Sequence, residues 1–156
     1  MIQNATRTLA CIALFSALAT ASAQNLRATL FQETDAAFER AREAQAALLS
    51  PQNFSQAEKY LERAESGLEK NRSIERIKED LAEANRYLRA TEEAGKLAQV
   101  TFPTTLQSRS AAETAQAPRL ASDEWDKAED LFRRAASALE DGNVNRARDY
   151  SGDALG

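Results

Sequence analysis

From Ile74 to Ala98 the chain places an apolar or small residue at every third or fourth position without a break: Ile74, Ile77, Leu81, Ala84, Leu88, Thr91, Gly95 and Ala98. This alternation is a heptad seam. The residues between are mostly charged, among them Glu75, Arg76, Lys78, Glu79, Asp80, Glu83, Arg86, Arg89, Glu92 and Glu93, so a helix here has one dry stripe and is otherwise wet. Such a stripe requires a partner helix. Its small members, Ala84, Thr91, Gly95 and Ala98, let a neighbouring backbone come close, as in antiparallel pairs with Ala-rich contacts. At about 1.5 Å per residue the segment spans roughly 37 Å, longer than an ordinary globular helix. The pattern predicts a rod and gives no sign of catalytic chemistry.

The N-terminus carries a different signal. Arg7 precedes an apolar run from Leu9 to Thr20, and Ala21-Ser22-Ala23 follows with the small-x-small pattern of a cleavage site. The run falls short of the roughly 20 residues that an uncleaved membrane anchor needs. The single cysteine, Cys11, lies inside the run, whereas lipid attachment requires one just after it. The expectation is a signal peptide over 1–23, an exported chain beginning at Gln24, and a location in the periplasm, in association with the outer membrane or free of it. Removing 1–23 takes away Arg7 and no acid, so the net charge moves from −4 to −5 over the remaining 133 residues. That mature chain holds neither cysteine nor histidine. It can form no disulfide, it lacks the usual neutral-pH acid/base, and only carboxylates could ligate a metal. An acidic balance with both signs interspersed argues against a nucleic-acid partner. With five glycines, three prolines and an abundance of Ala, Glu, Leu, Arg and Gln, residues 24–156 read as one all-α domain that does not span a membrane.

In chain order, a first helix is expected from Asn25 or Leu26 to Leu49, with Leu30, Phe31, Ala37, Phe38, Ala41, Ala44 and Leu48 on one face. Ser50-Pro51 ends it, because proline lacks an amide proton and pushes the preceding residue out of the helical region. A second helix opens at Gln52 or Asn53, with the seam Phe54, Ala57, Leu61, Ala64, Leu68. Ser73 is the expected N-cap of the long seam helix, although Arg76 stands where a capping box would have an acid. At Phe102-Pro103 the spacing continues, so a kinked continuation is favoured over a loop. Thr104 to Ala117 is weakly patterned, and Ala117-Pro118 closes it. Ser122 is read as the N-cap of a helix to about Glu140, with the seam Trp125, Ala128, Phe132, Ala135, Leu139. Asp141-Gly142-Asn143 is a turn, and Val144 to Leu155 starts a last helix.

At an offset of 71, Phe54 meets Trp125, Ala57-Glu58 meets Ala128-Glu129, Arg63-Ala64 meets Arg134-Ala135, Leu68-Glu69 meets Leu139-Glu140 and Ala44-Gln45-Ala46 meets Ala115-Gln116-Ala117. This reads as a duplicated helix-turn-helix unit. The fold expected is an elongated antiparallel helical bundle of two coiled-coil-like hairpins, about 26–100 and 104–156, the second read as truncated. Self-association through the open Trp125, Phe132, Leu139 face of that second hairpin is the consequence expected.

The elements Ser50-Pro51 before Phe54, Ala57-Glu58 and Tyr60-Leu61, then Ser73-Ile74-Glu75-Arg76-Ile77, Lys96 to Phe102, and Ala117-Pro118 ahead of Trp125 and Ala128-Glu129 resemble the helical N-terminal region of some envelope proteins of the outer-membrane protein A family (OmpA-like). They are also similar to a related exported helical domain of unknown function. The resemblance covers Leu26 to Leu155 and implies a structural or interaction module of the bacterial envelope, with an envelope protein or a peptidoglycan-linked partner. In that family a separate domain binds peptidoglycan, and no residues here correspond to it. Pro103 departs from the smooth helix that the resemblance implies.

Phe54, Trp125, Phe132 and Leu139 are the candidate interaction or packing anchors; aromatics can dock a partner, but each also fits as a bulky seam residue that anchors a hairpin. Glu58 and Glu129 recur beside the seam. They fit ion pairs across a helix interface better than a metal site, which in bundles usually adds Glu-x-x-His. No phosphate-binding loop is present, and no serine or threonine has a histidine base. Neither enzyme activity nor a cofactor is expected. The alternative to an envelope module is a periplasmic binding or chaperone-like module that takes a peptide or a small apolar ligand between its helices.

Overall fold

The computed structural model describes residues 25–155, so the signal segment expected over 1–23 lies outside the described residues. The described residues are all-α, and no strand occurs among them. Helix α1 covers 25–43. It is followed by α2 (Ala46–Leu49), α3 (Pro51–Glu69), α4 (Ile74–Thr101), α5 (Pro103–Thr114), α6 (Ala117–Leu120), α7 (Ser122–Glu140) and α8 (Val144–Asp153).

The first helix does not run unbroken to Leu49. Gln45 takes the left-handed conformation, φ 57° and ψ 38°, and the chain turns there before the single turn of α2. Ala44, expected on the buried face, is exposed as a result. Ser50 is extended at φ −149°, and Pro51 occupies the first position of α3, where its missing amide proton costs no hydrogen bond. The second helix therefore begins one or two residues before Gln52 or Asn53.

Helices α3 and α4 run antiparallel, because contacts climb one while descending the other. The Tyr60 and Tyr87 rings stack at 5.6 Å, Arg63 pairs with the largely buried Asp80 at 3.0 Å, and Gly67 packs on Ile77 near the turn. Within that turn Asn71 is left-handed at φ 51°. Ser73 caps α4 by accepting from the Arg76 amide at 3.5 Å, as the sequence predicts. Along α4 the seam residues Ile77, Leu81, Ala84, Leu88, Thr91 and Ala98 are buried. Ile74 is exposed in the first turn, and Gly95 is half-buried with Leu49 alongside.

The backbone leaves helical angles for one residue at Phe102, although that residue keeps its own ladder bonds. Its amide donates to the Ala98 carbonyl at 2.9 Å and its carbonyl accepts from Leu106 at 3.0 Å, while φ −121° and ψ 41° redirect the chain. Pro103 then sits at the first position of α5. The outcome is a kink with a buried aromatic at its apex, and the weakly patterned stretch beyond it is helical. Downstream, Ser122 is the first helical residue and not the cap. Ala121 occupies the cap position without a side-chain acceptor, and Asp123 and Glu124 supply negative charge to that helix end. Asn143 caps α8 by accepting from the Arg146 amide at 3.2 Å, and α8 ends at Asp153, two residues before Leu155.

Backbone angles recur 71 positions apart. Gln116 is left-handed at φ 61° like Gln45, and Ala121 is extended at φ −143° like Ser50. Helices α2 and α6 each have 4 residues, and α3 and α7 each have 19. Two apolar clusters form the core. One gathers Phe31, Ala64, Ile77 and Leu81 with Leu30, Leu61 and Leu68. The other gathers Leu49, Ala98, Phe102, Phe132, Ala135, Ala138, Leu139 and Ala147.

Membership of the second cluster corrects one expectation. The Phe132, Leu139 face is not open: Phe132 is 2% and Leu139 5% exposed. Leu49 from the first half of the chain and Phe102 from the kink pack in the same cluster, and the Phe102 ring meets Phe132 edge-on at 5.6 Å.

Candidate functional site

Three constellations stand out from the helix surfaces. The first joins the two halves of the chain. Glu140, the last residue of α7, reaches the N-terminus of α3. One carboxylate oxygen accepts from Ser50 Oγ at 2.6 Å and from the Asn53 amide at 2.9 Å, and the other accepts from the Gln52 amide at 2.9 Å. The first amides of a helix have no intrahelical acceptor. Here a side chain 87 and 88 positions away satisfies two of them in place of a local cap. The Gln52 side-chain amide adds bonds to the Ser137 carbonyl at 3.0 Å and to Asp141 at 3.2 Å.

The second constellation surrounds Trp125. Arg109 of α5 lies over its indole at 5.2 Å. The same guanidinium donates to Glu129 at 2.6 and 3.3 Å and pairs with Glu113 at 2.9 Å. Partial burial works against the Arg109 charge, but the hydrogen bond and charge of Glu129, with those of Glu113, outweigh it and hold the group above its ordinary pKa. Seventy-one positions earlier, Phe38 stacks on Phe54 at 5.0 Å and Arg42 lies over Phe38 at 5.9 Å. An aromatic pair in one half thus corresponds to a cation on an indole in the other. Glu129 serves as an ion-pair partner, and among the described residues no group of three or more His, Cys, Asp or Glu side chains is placed to hold a metal.

The third constellation is a slot of about 510 Å³ between α1 and α4. Ala37, Ala41 and Ala44 line one wall, and Leu88, Thr91 and Gly95 line the other. Small side chains on both helices leave a gap between the two core clusters where bulky ones would interdigitate. Glu33, Arg40, Arg89, Glu92 and Lys96 surround the mouth. Glu92 and Lys96 form a pair at 2.6 Å. The hydrogen bond and charge of Lys96 lower the Glu92 pKa, and those of Glu92 raise that of Lys96. At one end Asn85 donates to the buried Thr34 hydroxyl at 2.9 Å. Thr91, 2% exposed, is different: its Oγ1 has no hydrogen-bond partner. An unmet buried hydroxyl costs about 1–3 kcal/mol.

The structure distributes the four sequence-predicted anchors instead of gathering them. Phe54 is buried against Phe38, Trp125 is half-buried beneath Arg109, and Phe132 and Leu139 belong to the second core cluster. Glu140, Arg109 and Thr91 were not foreseen. An acid at a helix C-terminus, one arginine in a weakly patterned stretch and a seam threonine carry no local signal for these roles. No helix among the described residues is long and apolar enough to cross a membrane. The chain matches no protein-family model, and neither curated proteins nor solved structures give a match.

Proposed function

We propose that this chain is an exported structural or interaction module of the bacterial cell envelope, equivalent to the helical region of an OmpA-like protein, with an envelope protein or a peptidoglycan-linked molecule as its partner. Its architecture is an elongated antiparallel bundle made from a duplicated unit. The observation that carries the reading is the recurrence at 71 positions, which extends from backbone angles to core side chains. Phe31 corresponds to Phe102, Ala64 to Ala135 and Leu68 to Leu139, each pair split between the two clusters. Thr34 and Thr105 correspond as well, and each is buried and bonded to the closing helix of its unit, to Asn85 and to Ser151. On this reading the end of α4 and α5 together form the opening helix of the second unit. A shared helix and the Glu140 joint make neighbouring units stiff with respect to each other, as stacking does in repeat proteins. Cell fractionation with intact-mass measurement tests the proposal. The expected result is a chain beginning at Gln24 in the periplasmic or outer-membrane fraction, cross-linked to an envelope component. A cytoplasmic chain retaining Met1 refutes it.

A second reading, a periplasmic binding or chaperone-like module for a peptide or small apolar ligand, is favoured by one observation. The slot between α1 and α4 has a volume within the range of ligand pockets, about 300–1,000 Å³.

A further inference from the structure

Resting on that second reading, we propose that the slot between α1 and α4 takes a slender aliphatic carboxylate, its head group held by Arg40 and Arg89 and its alkyl chain lying over Ala37, Ala41 and Gly95. Charge at the mouth selects the head group. Arg40, Arg89 and Lys96 face Glu33 and Glu92 there, a local surplus of one positive charge on a chain whose net charge is −4. Lys96 is already engaged by Glu92 at 2.6 Å. Neither Arg40 nor Arg89 forms an ion pair with a carboxylate among the described residues. Arg40 lies close enough to Glu92 for its charge to help lower that carboxylate's pKa, but neither Arg40 nor Arg89 is held by a carboxylate, so both remain open to a single carboxylate ligand, which arginine binds in bidentate geometry.

The walls select the body of the ligand. Alanines, Gly95 and Leu88 give the slot apolar walls along α1 and α4, which suits an alkyl chain laid along them.

Thr91 supplies the third element. Its side chain lines the slot while its hydroxyl lacks any partner. Threonine in a helix populates two χ1 rotamers. Turned about χ1 towards the slot, that hydroxyl offers a ligand lying there a donor that no group of the chain uses.

Isothermal titration of the purified chain with decanoate, decan-1-ol and decyltrimethylammonium, all below micellar concentration, is the test. One equivalent of decanoate should bind, at least tenfold more tightly than the cation. Replacing both exposed arginines, Arg40→Gln with Arg89→Gln, should weaken decanoate at least tenfold without moving the thermal melt. Thr91→Val should weaken it while raising the melting temperature of the free chain, and Ala41→Leu should block the slot. Equal affinity for cation and carboxylate, or unchanged decanoate affinity in the arginine variant, overturns the carboxylate proposal while leaving a binding module standing. Absence of binding by all three probes overturns both this proposal and the small apolar ligand of the second reading.

Discussion

Replacing Glu140 by alanine removes the acceptor that three donors share at the N-terminus of α3. Ser50 is fully buried, and its hydroxyl, which donates to the carboxylate at 2.6 Å, is left unmet at a cost of about 1–3 kcal/mol. The Gln52 and Asn53 amides, both at 2.9 Å from the carboxylate, lose what amounts to a helix cap, worth about 0.5–2 kcal/mol. The two losses overlap because Gln52 is exposed and water replaces part of its bond, so the expected cost is about 2–3 kcal/mol. For a chain of this size that lowers the melting temperature by roughly 6–15 °C. Glu140→Gln should lie nearer to the parent than to alanine, since its amide oxygen can still accept from Ser50 and Asn53 and only the exposed Gln52 amide then faces a donor. Ser50→Ala removes the most buried demand on the carboxylate, so Glu140→Ala in that background should cost about 1 kcal/mol less than in the parent. Urea melts of the four-member cycle measure this. A Glu140→Ala cost within about 0.5 kcal/mol of zero, the usual range for surface substitutions, or strict additivity with Ser50→Ala, refutes the joint.

Other perturbations test the rest of the packing. Leu81→Ala should cost about 2–5 kcal/mol and Leu88→Ala less, because Leu88 borders the slot and already lacks neighbours on one side; Arg86→Ala, which breaks an exposed pair with Glu83 and uncovers the half-buried Tyr87 ring 4.0 Å away, should cost well under about 1 kcal/mol in urea melts, and equal losses for all three refute the seam. Gly152→Ala should stabilise by about 0.5 kcal/mol, because nothing lies within 4 Å of the added methyl. Gly67→Ala should forfeit that gain, since its methyl meets buried Ile77 at 3.3 Å, and thermal melts separate the two. Arg109→Ala uncovers Trp125 and strands Glu129, so tryptophan emission should shift to the red with a stability loss of about 1–2 kcal/mol; unchanged emission refutes that contact.

Periodicity revealed what depends on near neighbours. Seam burial in α4, the Ser73 cap, the break at Ser50-Pro51 and the kinked continuation through Phe102 all follow from spacing or from a single residue's backbone limits; Pro118 does not close the segment before it, which ends at Thr114, but stands in the first turn of α6. Three features escaped. Gln45 and Gln116 adopt a left-handed turn usually taken by glycine or asparagine, so tertiary packing fixes it and no residue type announces it. Ser122 looks like a cap, but the extended residue is Ala121, matching Ser50. Glu140 finds its donors across the chain, where loop closure and not local sequence decides the pairing. The small residues of α4 predict close approach by a neighbouring helix along the whole seam. Gly95 does approach Leu49, but beside Thr91 the alanines of α1 make both surfaces small, and a slot results.

On the proposed reading of a duplicated unit, the recurrence also accounts for the difference between the two end faces. In the second unit Ala98 is small, and Leu49 of the first unit packs beside it against Phe102. Its counterpart 71 positions earlier is Arg27. That guanidinium lies over Phe31 at 4.9 Å and ties Asp35 and Glu65 together at 3.0 and 2.8 Å. A charged clasp therefore covers the place where another leucine would enter. At the opposite face Leu120, the counterpart of Leu49, is 68% exposed. Asp123 and Glu124 stand where Gln52 and Asn53 receive Glu140, so an incoming acid such as Glu69, the counterpart of Glu140, meets two like charges. Stacking one copy on the next in the manner of the internal joint is opposed at both faces, as polar outer surfaces oppose it in capped repeat arrays. With Phe132 and Leu139 covered, no open stripe remains on α7 to drive association. Leu120 by itself is ordinary surface, and among the described residues the contacts left for a partner include the small-walled slot, the mixed charge of the outer helix faces, and Leu97 and Val100, exposed one turn apart on α4.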